Sequence, residues 1–330
     1  MINSKFSDLV VCIVGYGSIG RRHASNIKSL GAQVIVYRSG LAHSQTPNFD
    51  PSLKFVYELD DVLAIKPDAM VICNPTSLHS GFIATAVDLG IHFFVEKPVA
   101  NNSTGFEAML ESIKVKKLVT CVGYMMRYDA GIIAMKKALD EGLLGKVTSA
   151  IIEWGSYLPN WHPWEDYKDS YAGRRSLGGG AVLTCSHEID TARYLLGDFI
   201  DITVSGGSSS ILGLDVEDYV DIFSKHRSGT TCLMHIDWFQ KQGRRYIQII
   251  GEEGRLEWDF FTKELNLYCG DSGGSLIARS SDDINQLYTE NMEDFLKSIV
   301  ESKQTVCNLE DGLVTLSVCE LILNRLNENA

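Results

Sequence analysis

Three glycines near the start of the chain have the spacing of a dinucleotide-binding turn. An apolar run over residues 10–14 ends at Gly15, and Gly17 and Gly20 follow before a helical pattern begins. Gly15 permits a tight bend, Gly17 lets phosphate approach the backbone, and Gly20 lets the helix pack closely on the strand. The helix N-terminus adds N–H groups and a partial positive charge, so we predict that a pyrophosphate binds here. The predicted contacts are Gly15, Gly17, Ser18, Ile19 and Gly20. The alternative is a glycine turn that only connects two elements.

The end of the second predicted strand bears on which dinucleotide would bind. Sites that prefer NAD place a carboxylate about 20 residues after the glycines, where it binds the ribose 2′-hydroxyl. Here the strand ends in Tyr37-Arg38-Ser39, and the first carboxylate after the strand is Asp50. A guanidinium and a hydroxyl can bind a 2′-phosphate, so Arg38 and Ser39 favour NADP. The alternative is that Arg38 is a solvated charge that stacks on adenine, which keeps NAD as the second candidate.

Two further segments carry groups that can move protons. Glu96-Lys97-Pro98 follows a predicted strand at its carboxyl end, the edge where open α/β sheets bind ligands. The lysine can donate a proton or stabilise a developing alkoxide, although a surface turn with an ion pair would have the same sequence. His187 and Asp190 are one helical turn apart, and a neutral imidazole beside a nicotinamide can accept the proton that a carbinol loses. The alternatives are a structural histidine and an ion-paired aspartate, and no third ligand stands at a spacing that would predict a metal site.

Strands and helices alternate from the N-terminus to Gly123, which predicts a doubly wound parallel sheet. The predicted strands are 10–14, 33–37, 69–73, 92–95 and 119–122. The predicted helices are 19–30, 60–65, 80–89 and 105–114, with a loop at 41–50.

After Gly123 six strand candidates follow one another without helices between them, which implies an antiparallel or mixed sheet. They are 202–206, 218–225, 230–239, 246–251, 255–260 and 265–269. Helices are predicted at 131–141, 181–196, 289–302 and 311–327, and 271–281 is the candidate mobile loop. The expected fold is therefore α/β with two domains, 1–124 and 125–330, and a C-terminal helix able to pack back on the first. An uncovered apolar sheet face predicts a homo-oligomer, a dimer or tetramer formed through the second sheet.

Composition narrows the class of protein. The 330 residues carry a net charge of −12, which opposes nucleic-acid binding, and 45% are hydrophobic, with no run long enough to span a membrane. The eight cysteines contain no C-x-x-C pair, so buried reduced thiols are expected rather than disulfides or zinc. The N-terminal apolar run leads straight into the glycine turn and does not resemble a secretory signal, so we expect a cytoplasmic protein.

Five segments together resemble one family, the Gfo/Idh/MocA oxidoreductases (glucose–fructose oxidoreductase, inositol dehydrogenase and rhizopine-catabolism proteins). They are G-Y-G-S-I-G, residues 74–79 (N-P-T-S-L-H), residues 95–98 (V-E-K-P), residues 122–128 (V-G-Y-M-M-R-Y) and the G-G-G…S-H-E-I-D run from Gly178. The resemblance covers nearly the whole chain. It implies an N-terminal Rossmann domain and a C-terminal α/β domain with a large open, mostly antiparallel sheet that commonly covers the active site and forms subunit contacts.

The resemblance also implies roles for individual residues. Lys97 becomes the lysine that binds the reacting hydroxyl, and His187 the acid/base histidine that meets it beside the pyridine ring. The cofactor would be lined by Pro75, Thr76, His79, Glu96 and Lys97. Many members place an aspartate three or four residues before the histidine, where this chain has Leu183 and Thr184. Either Lys97 and His187 suffice without it, or Asp190 compensates.

Substrate contacts are expected around the second domain's aromatic loop, residues 158–167, because aromatic faces and charged groups bind sugars. The candidates are Arg127, Tyr128, Trp161, Trp164, Tyr171, Arg174, Thr184 and Asp190. The loop is similar to a branch of the family from surface-polysaccharide and acidic-sugar gene clusters, and Arg174 or Arg175 would clamp an anionic sugar. A subunit interface is the alternative, since Trp, Tyr and Arg also mark such surfaces.

These observations predict an NAD(P)-dependent oxidoreductase that moves hydride between nicotinamide and a hydroxyl-bearing carbon. The substrate would be a sugar, sugar acid or nucleotide-sugar, in surface-polysaccharide metabolism. One alternative is a lyase or glycosidase that uses tightly bound NAD in a transient oxidation. The other is a non-catalytic NADP(H) sensor, which the absence of an acidic residue at Thr184 favours.

Overall fold

Two sheets organise the chain, and each lies in its own unit. The computed structural model describes residues 5–39, 50–270 and 273–328. The first unit comprises Met1–Tyr124 and Asn285–Leu313, and the second comprises Met125–Ile284 and Val314–Ala330.

The first unit is built on a six-stranded parallel sheet. Its strands are β1 (Val10–Val14), β2 (Gln33–Tyr37), β3 (Lys54–Val56), β4 (Ala69–Ile72), β5 (His92–Val95) and β6 (Thr120–Val122). They run in the order β3-β2-β1-β4-β5-β6, and every neighbouring pair is parallel. The strand order changes direction between β1 and β4, so the carboxyl ends of these two strands border the crevice where such sheets bind ligands. The predicted doubly wound sheet is confirmed.

Glycines end the helices that connect these strands. The helices are α1 (Ser18–Leu30), α2 (Leu59–Ile65), α3 (His79–Leu89) and α4 (Phe106–Lys116). Gly31 after α1 and Gly90 after α3 have φ values of +93° and +72°, a conformation that side chains with a Cβ adopt only with strain. The predicted loop 41–50 lies outside the described residues except for Asp50.

A helix from the C-terminal part of the chain belongs to the first unit. Helix α8 (Asn285–Glu301) buries Met292, Phe295 and Leu296 in the same hydrophobic cluster as β1 and α1. Each such side chain stabilises the fold by roughly 1.5–3 kcal/mol, so α8 packs here. Residues 285–313, which lie within the predicted domain 125–330 and its C-terminal helix able to pack back on the first domain, belong to the first unit. The chain passes from the first unit to the second within α9 (Leu309–Glu328).

The second unit is built on an eight-stranded sheet. Its strands are β7 (Val147–Tyr157), β8 (Phe199–Gly207), β9 (Tyr219–His226), β10 (Thr231–Asp237), β11 (Phe239–Gly251), β12 (Gly254–Asp259), β13 (Glu264–Tyr268) and β14 (Ser275–Arg279). Their order is β14-β13-β12-β11-β7-β10-β9-β8, and only the described pair of β7 and β10 is parallel. The predicted, mostly antiparallel sheet is confirmed. The mobile loop predicted at 271–281 is wrong over Ser275–Arg279, because these residues pair with β13 as an edge strand.

Alternation along the strands separates a buried face of this sheet from an exposed one. Helices α5 (Ala130–Asp140), α6 (Ala181–Thr184) and α7 (Ser186–Leu196) contact the sheet. A Cβ on Gly131 of α5 would lie 2.4 Å from the Trp258 ring, which shows how closely helix and sheet approach. The opposite face exposes the apolar side chains Ile151, Phe223 and Leu233.

No helix in the described part of the chain combines the length and the apolar character needed to cross a membrane.

Candidate active site

The glycine turn after β1 brings backbone atoms together where a side chain has no room. Gly15 has a φ of +94°, and its N–H donates to the Tyr37 carbonyl oxygen at 3.0 Å. A Cβ on Gly20 would lie 2.1 Å from the Gly15 carbonyl oxygen, so α1 begins directly against the end of β1. A Cβ on Gly17 would meet no atom within 4 Å, so this residue borders open space. The turn therefore combines tight internal packing with an accessible outer side.

The first turn of α1 offers backbone donors to an anion. Gly17 is the residue before the helix, and no side chain of the described residues caps the N-terminal N–H groups. The first turn contains no acidic residue that would repel phosphate. Because helix N-termini attract negative charge, the turn fits the pyrophosphate of a dinucleotide, which the N–H groups of Ser18 and Ile19 would hold.

The end of β2 presents a cation and a hydroxyl. Arg38 is half-buried, with its N–H donating to the Val56 carbonyl oxygen at 3.0 Å, and Ser39 is exposed. Asp50 is the first carboxylate after β2, and its oxygens accept hydrogen bonds from Lys28 Nζ at 3.0 Å and from Ser52. Asp50 is thus already engaged, and Arg38 is the charged group that stands directly after the strand.

The segment after β4 contains three predicted cofactor contacts. Pro75 is exposed, and the buried Thr76 begins a short 3-10 turn that leads into α3. His79 is buried, and its ring nitrogens lie 2.9 Å from the Asn74 carbonyl oxygen and 3.0 Å from that of Pro98. Burial lowers the pKa of His79, against the opposing effect of these carbonyl groups. His79 therefore ties two loops together from inside, and its ring nitrogens are engaged rather than presented to a cofactor.

The Glu96 carboxylate is engaged inside the first unit. It is buried, with Oε1 2.7 Å from His23 Nε2 and Oε2 accepting the Lys97 N–H at 3.2 Å. Burial alone would raise the pKa of Glu96, but the His23 hydrogen bond and the charge of Lys97 outweigh it, so the pKa lies below its usual value. Glu96 thus anchors the Lys97 backbone instead of extending toward a ligand, while the Lys97 side chain is half-buried.

His187 lies on a helix that starts with an interruption. The predicted single helix 181–196 is wrong, because Cys185 leaves helical geometry with φ −101° and ψ 26° and separates α6 from α7. Thr184 is the last residue of α6 and is buried, and His187, in the first turn of α7, is only 9% exposed. A buried imidazole in a short, irregular helix start suits a group that must be held at a fixed position.

Arg127 and Asp190 are bonded to each other inside the second unit. Arg127 Nε and Nη2 donate to the two Asp190 carboxylate oxygens at 2.8 and 2.6 Å, and Thr315 donates to the same carboxylate at 3.1 Å. Both side chains are almost fully buried. Their predicted role in substrate binding is therefore not supported by their placement, because the pair fixes α7 against the 3-10 turn Met125–Tyr128, in which Tyr128 is also buried.

The aromatic loop divides into packed and exposed residues. Trp161 donates to Ser156 Oγ at 2.8 Å and packs edge-on against Trp154 and Trp238, so it is part of an internal cluster. Trp164 is 64% exposed and Tyr171 is half-buried. Arg174 is exposed, is ion-paired with Asp169, and borders an open cleft of about 290 Å³. Of the predicted loop contacts, Trp164, Tyr171 and Arg174 remain accessible to a ligand.

Family models match most of the chain. One, described as the oxidoreductase family with an NAD-binding Rossmann fold, matches residues 9–124, and one for the GFO/IDH/MocA C-terminal domain matches residues 132–257. The chain belongs to the Gfo/Idh/MocA oxidoreductase family.

Individual Gfo/Idh/MocA relatives match at low identity. The chain is 25% identical over 320 residues to a myo-inositol 2-dehydrogenase of Thermotoga maritima, with 92% of each chain covered. It is 24% identical over 260 residues to a 2,7-anhydro-N-acetylneuraminate hydratase of Mediterraneibacter gnavus, which covers 75% of this chain and 66% of that one. A levoglucosan dehydrogenase solved with NADH shares the fold, with a TM-score of 0.83, 98% of each chain covered and 18% identity.

Two buried groups of this chain were not predicted from the sequence. His23 stands three residues after Gly20, and its place one turn along the buried face of α1 was the available signal. Glu217 precedes β9, and its carboxylate accepts the Val182 N–H at 3.1 Å, so it holds the start of α6. Burial raises the pKa of Glu217 to about 7. A Cβ on Gly180 would lie 2.2 Å from its Oε1, so the glycine triplet makes room for this carboxyl group.

Replacing Asp190 tests whether it is structural. We expect Asp190→Asn to lower the free energy of unfolding by about 3–5 kcal/mol, because it leaves the Arg127 charge buried without its partner. Urea unfolding measures this. The exposed pair of Lys137 and Glu141 is the control, and Glu141→Gln should change stability by less than about 1 kcal/mol. Unchanged stability in Asp190→Asn together with a raised substrate KM would restore the substrate-binding role.

Proposed function

We propose that the protein is an NAD(P)-dependent dehydrogenase that interconverts a CH–OH group and a carbonyl on a sugar-like substrate. The observation that carries this proposal is the Gly15–Gly20 turn, whose open helix N-terminus fits a dinucleotide in a family of NAD-binding oxidoreductases. The nicotinamide, when bound, supplies the two-electron redox chemistry. The inositol and levoglucosan dehydrogenases among the relatives support a cyclitol or sugar alcohol as the reacting group.

Lys97 and His187 are the proposed catalytic residues. The Lys97 ammonium donates a hydrogen bond to the reacting oxygen and stabilises the alkoxide that forms during oxidation. His187 accepts the proton in its neutral form and returns it in the reverse reaction. The burial of His187 and the half-burial of Lys97 support these roles, because restricted water strengthens electrostatic interactions with the substrate.

The accessible part of the aromatic loop supports an anionic sugar as the finer substrate class. Trp164 and Tyr171 offer faces to C–H surfaces, and Arg174 and Lys168 border the open cleft with cationic groups. A sugar acid or a nucleotide-sugar of surface-polysaccharide metabolism has the chemistry that this combination recognises.

A second candidate reaction is favoured by the hydratase among the relatives. On the same scaffold, Lys97 and His187 would assist a transient oxidation in which tightly held NAD is restored before the product leaves. The net reaction then consumes no cofactor, which separates it from a dehydrogenase.

For the cofactor we propose NADP(H) over NAD(H). Arg38 stands directly after β2, Ser39 is exposed beside it, and Asp50 is bonded to Lys28 and Ser52. A guanidinium forms paired, charge-assisted hydrogen bonds with a 2′-phosphate.

We also propose that the chain forms a homo-oligomer through the exposed face of the second sheet. Leu233 on β10 is in register with Phe223 on β9 and with Ile151 on β7, and the three side chains are 54%, 49% and 39% exposed. Adjacent apolar groups on an open sheet support burial against a second copy. Cytoplasmic residence is proposed on the cysteines, which are free thiols and, except for Cys269, buried.

Lys97→Met is the principal test of the reaction. We expect kcat for the best substrate of a sugar and cyclitol panel to fall by about a hundredfold or more, because the group that stabilises the alkoxide is lost. The absorbance of reduced nicotinamide measures turnover, and NADH or NADPH fluorescence measures cofactor binding separately, so that a loss of binding is distinguished from a loss of kcat. Lys114→Met is the control, since Lys114 is an exposed lysine paired with Glu310.

Three results would contradict this proposal. An unchanged rate in Lys97→Met would remove Lys97 from catalysis. Substrate loss without net change in nicotinamide would favour the transient-oxidation reaction. Absence of turnover with every sugar, combined with tight NADPH binding, would favour a sensor.

Arg38→Ala tests cofactor preference. We expect NADPH binding to weaken by roughly tenfold to a hundredfold, while NADH binding changes by less than about threefold, because only NADPH carries the 2′-phosphate. Fluorescence titration measures both constants. Lys54→Ala, which removes an exposed cation of the neighbouring β3, should leave both unchanged. Equal effects on the two cofactors would point to adenine stacking instead.

Leu233→Glu tests the proposed interface. We expect light scattering to show a larger fraction of monomer, because the new charge would have to be buried on association. Val115→Glu, at an 81% exposed position of α4, should leave the mass unchanged. A monomeric wild-type protein, or an oligomer insensitive to Leu233→Glu, would refute this interface.

A further inference from the structure

Three chain segments of the first unit converge on the Glu96 carboxylate. His23 approaches it from α1, with Nε2 2.7 Å from Oε1. The Lys97 N–H at the end of β5 donates to Oε2 at 3.2 Å. Gly123, directly after β6, leaves room for the group, since a Cβ there would lie 3.0 to 3.1 Å from all three carboxylate atoms. The carboxylate is therefore held by hydrogen bonds at both oxygens and by its close fit against Gly123.

The His23 ring makes one hydrogen bond, to the Glu96 carboxylate. The pKa of Glu96 is lowered, so its carboxylate is charged and accepts the hydrogen bond, and His23 Nε2 carries the donated proton. His23 is fully buried, and its Nδ1 has no hydrogen-bond partner among the described residues. The hydrogen bond from Nε2 is therefore the contact through which His23 holds the Glu96 carboxylate.

This charge acts on the segment that contains Lys97. Glu96 and Lys97 attract each other, and the same carboxylate holds the Lys97 backbone through its N–H. Without the His23 donor, the buried carboxylate would lose its closest partner and would turn toward another, taking the Lys97 peptide with it.

We propose that His23 is a positioning residue, which holds the Glu96 carboxylate and through it the Lys97 backbone in the orientation that the reaction requires. The inference rests on the proposed catalytic role of Lys97. His23 also lies on the helix whose N-terminus carries the predicted pyrophosphate contacts, so one hydrogen bond joins the dinucleotide-binding helix to the catalytic segment.

Two substitutions separate the hydrogen bond from the packing of the ring. His23→Gln keeps an N–H donor at the distance of Nε2, whereas His23→Phe keeps a ring against Phe94 and Tyr288, whose centroids lie 5.0 and 6.0 Å away. We expect kcat to fall about tenfold in His23→Phe and to stay within about threefold of wild type in His23→Gln, since misplacing a catalytic group lowers the rate. NADPH binding, measured by fluorescence, should change little in either variant.

A second variant perturbs the Glu96 carboxylate without changing His23. Gly123→Ala places a methyl group against Glu96 while leaving His23 intact, and we expect the same loss in kcat. Gly81→Ala on α3 is its control, because a Cβ there meets no atom within 4 Å. His226→Phe is the control for His23, since His226 is also fully buried but belongs to the second unit, and it should lower the melting temperature without changing kcat.

Acetylation of Lys97 by acetic anhydride gives a readout that needs no turnover. Peptide mass spectrometry compares it with Lys116, whose ammonium donates to two backbone carbonyl oxygens. We expect the ratio of Lys97 acetylation to Lys116 acetylation to rise about threefold or more in His23→Phe and Gly123→Ala, because the segment that contains Lys97 loosens. In His23→Gln the ratio should stay at the wild-type value.

The outcomes distinguish this inference from the proposed function. Wild-type rates and acetylation in His23→Phe, or equal losses in His23→Phe and His23→Gln, would overturn the positioning role. If the wild-type protein turns over no substrate, the proposed function fails, and the acetylation ratios alone decide whether His23 positions Lys97.

Discussion

The contact between Gly20 and the Gly15 carbonyl oxygen is the constraint on which the first unit depends. Because a Cβ at position 20 would lie 2.1 Å from that oxygen, α1 starts against the end of β1 only if residue 20 is glycine. The same approach leaves the first N–H groups of α1 beside the open space at Gly17. One turn further along the helix, it directs His23 inward to Glu96. The anion-binding turn and the buried pair are thus two results of one backbone contact.

Each unit contains a buried carboxylate, Glu96 in the first and Asp190 in the second, and the two are stabilised by different partners. The Asp190 carboxylate accepts hydrogen bonds from two nitrogens of the Arg127 guanidinium and from the Thr315 hydroxyl. Its charge is therefore compensated locally, and these contacts form a rigid connection. Glu96 is held by the His23 ring and by the Lys97 backbone N–H, and no guanidinium binds it among the described residues. A buried anion of this kind is costly, and such groups are retained more readily where their field acts on a neighbouring functional residue. Lys97, the proposed catalytic lysine, is the neighbour of Glu96.

Periodicity and glycine spacing predicted both sheets and nearly every helix, because those features depend on short-range sequence. The family was expected from the resemblance of five short segments taken together. Strand β3 was missed since three residues carry no readable alternation, and β14 was missed because Ser and Gly dominate the segment beside it. Glu217, a residue distant in sequence, accepts the Val182 N–H at the start of α6, and no local pattern predicts that contact. Arg127 and Asp190 are likewise distant from each other in sequence. Their side-chain types suggested ligand binding, whereas the fold pairs them with each other.

The residues around His187 limit how it can work. Thr184 stands where relatives were expected to carry a carboxylate, and the acidic residues beside His187 on α7 are both paired with arginine. Asp190 is bound by Arg127, and Glu188 lies 2.6 Å from the Arg245 guanidinium. Each of these carboxylates is thus already bound by a guanidinium. In the proposed reaction, the stabilisation of charge at the reacting oxygen is therefore assigned to Lys97.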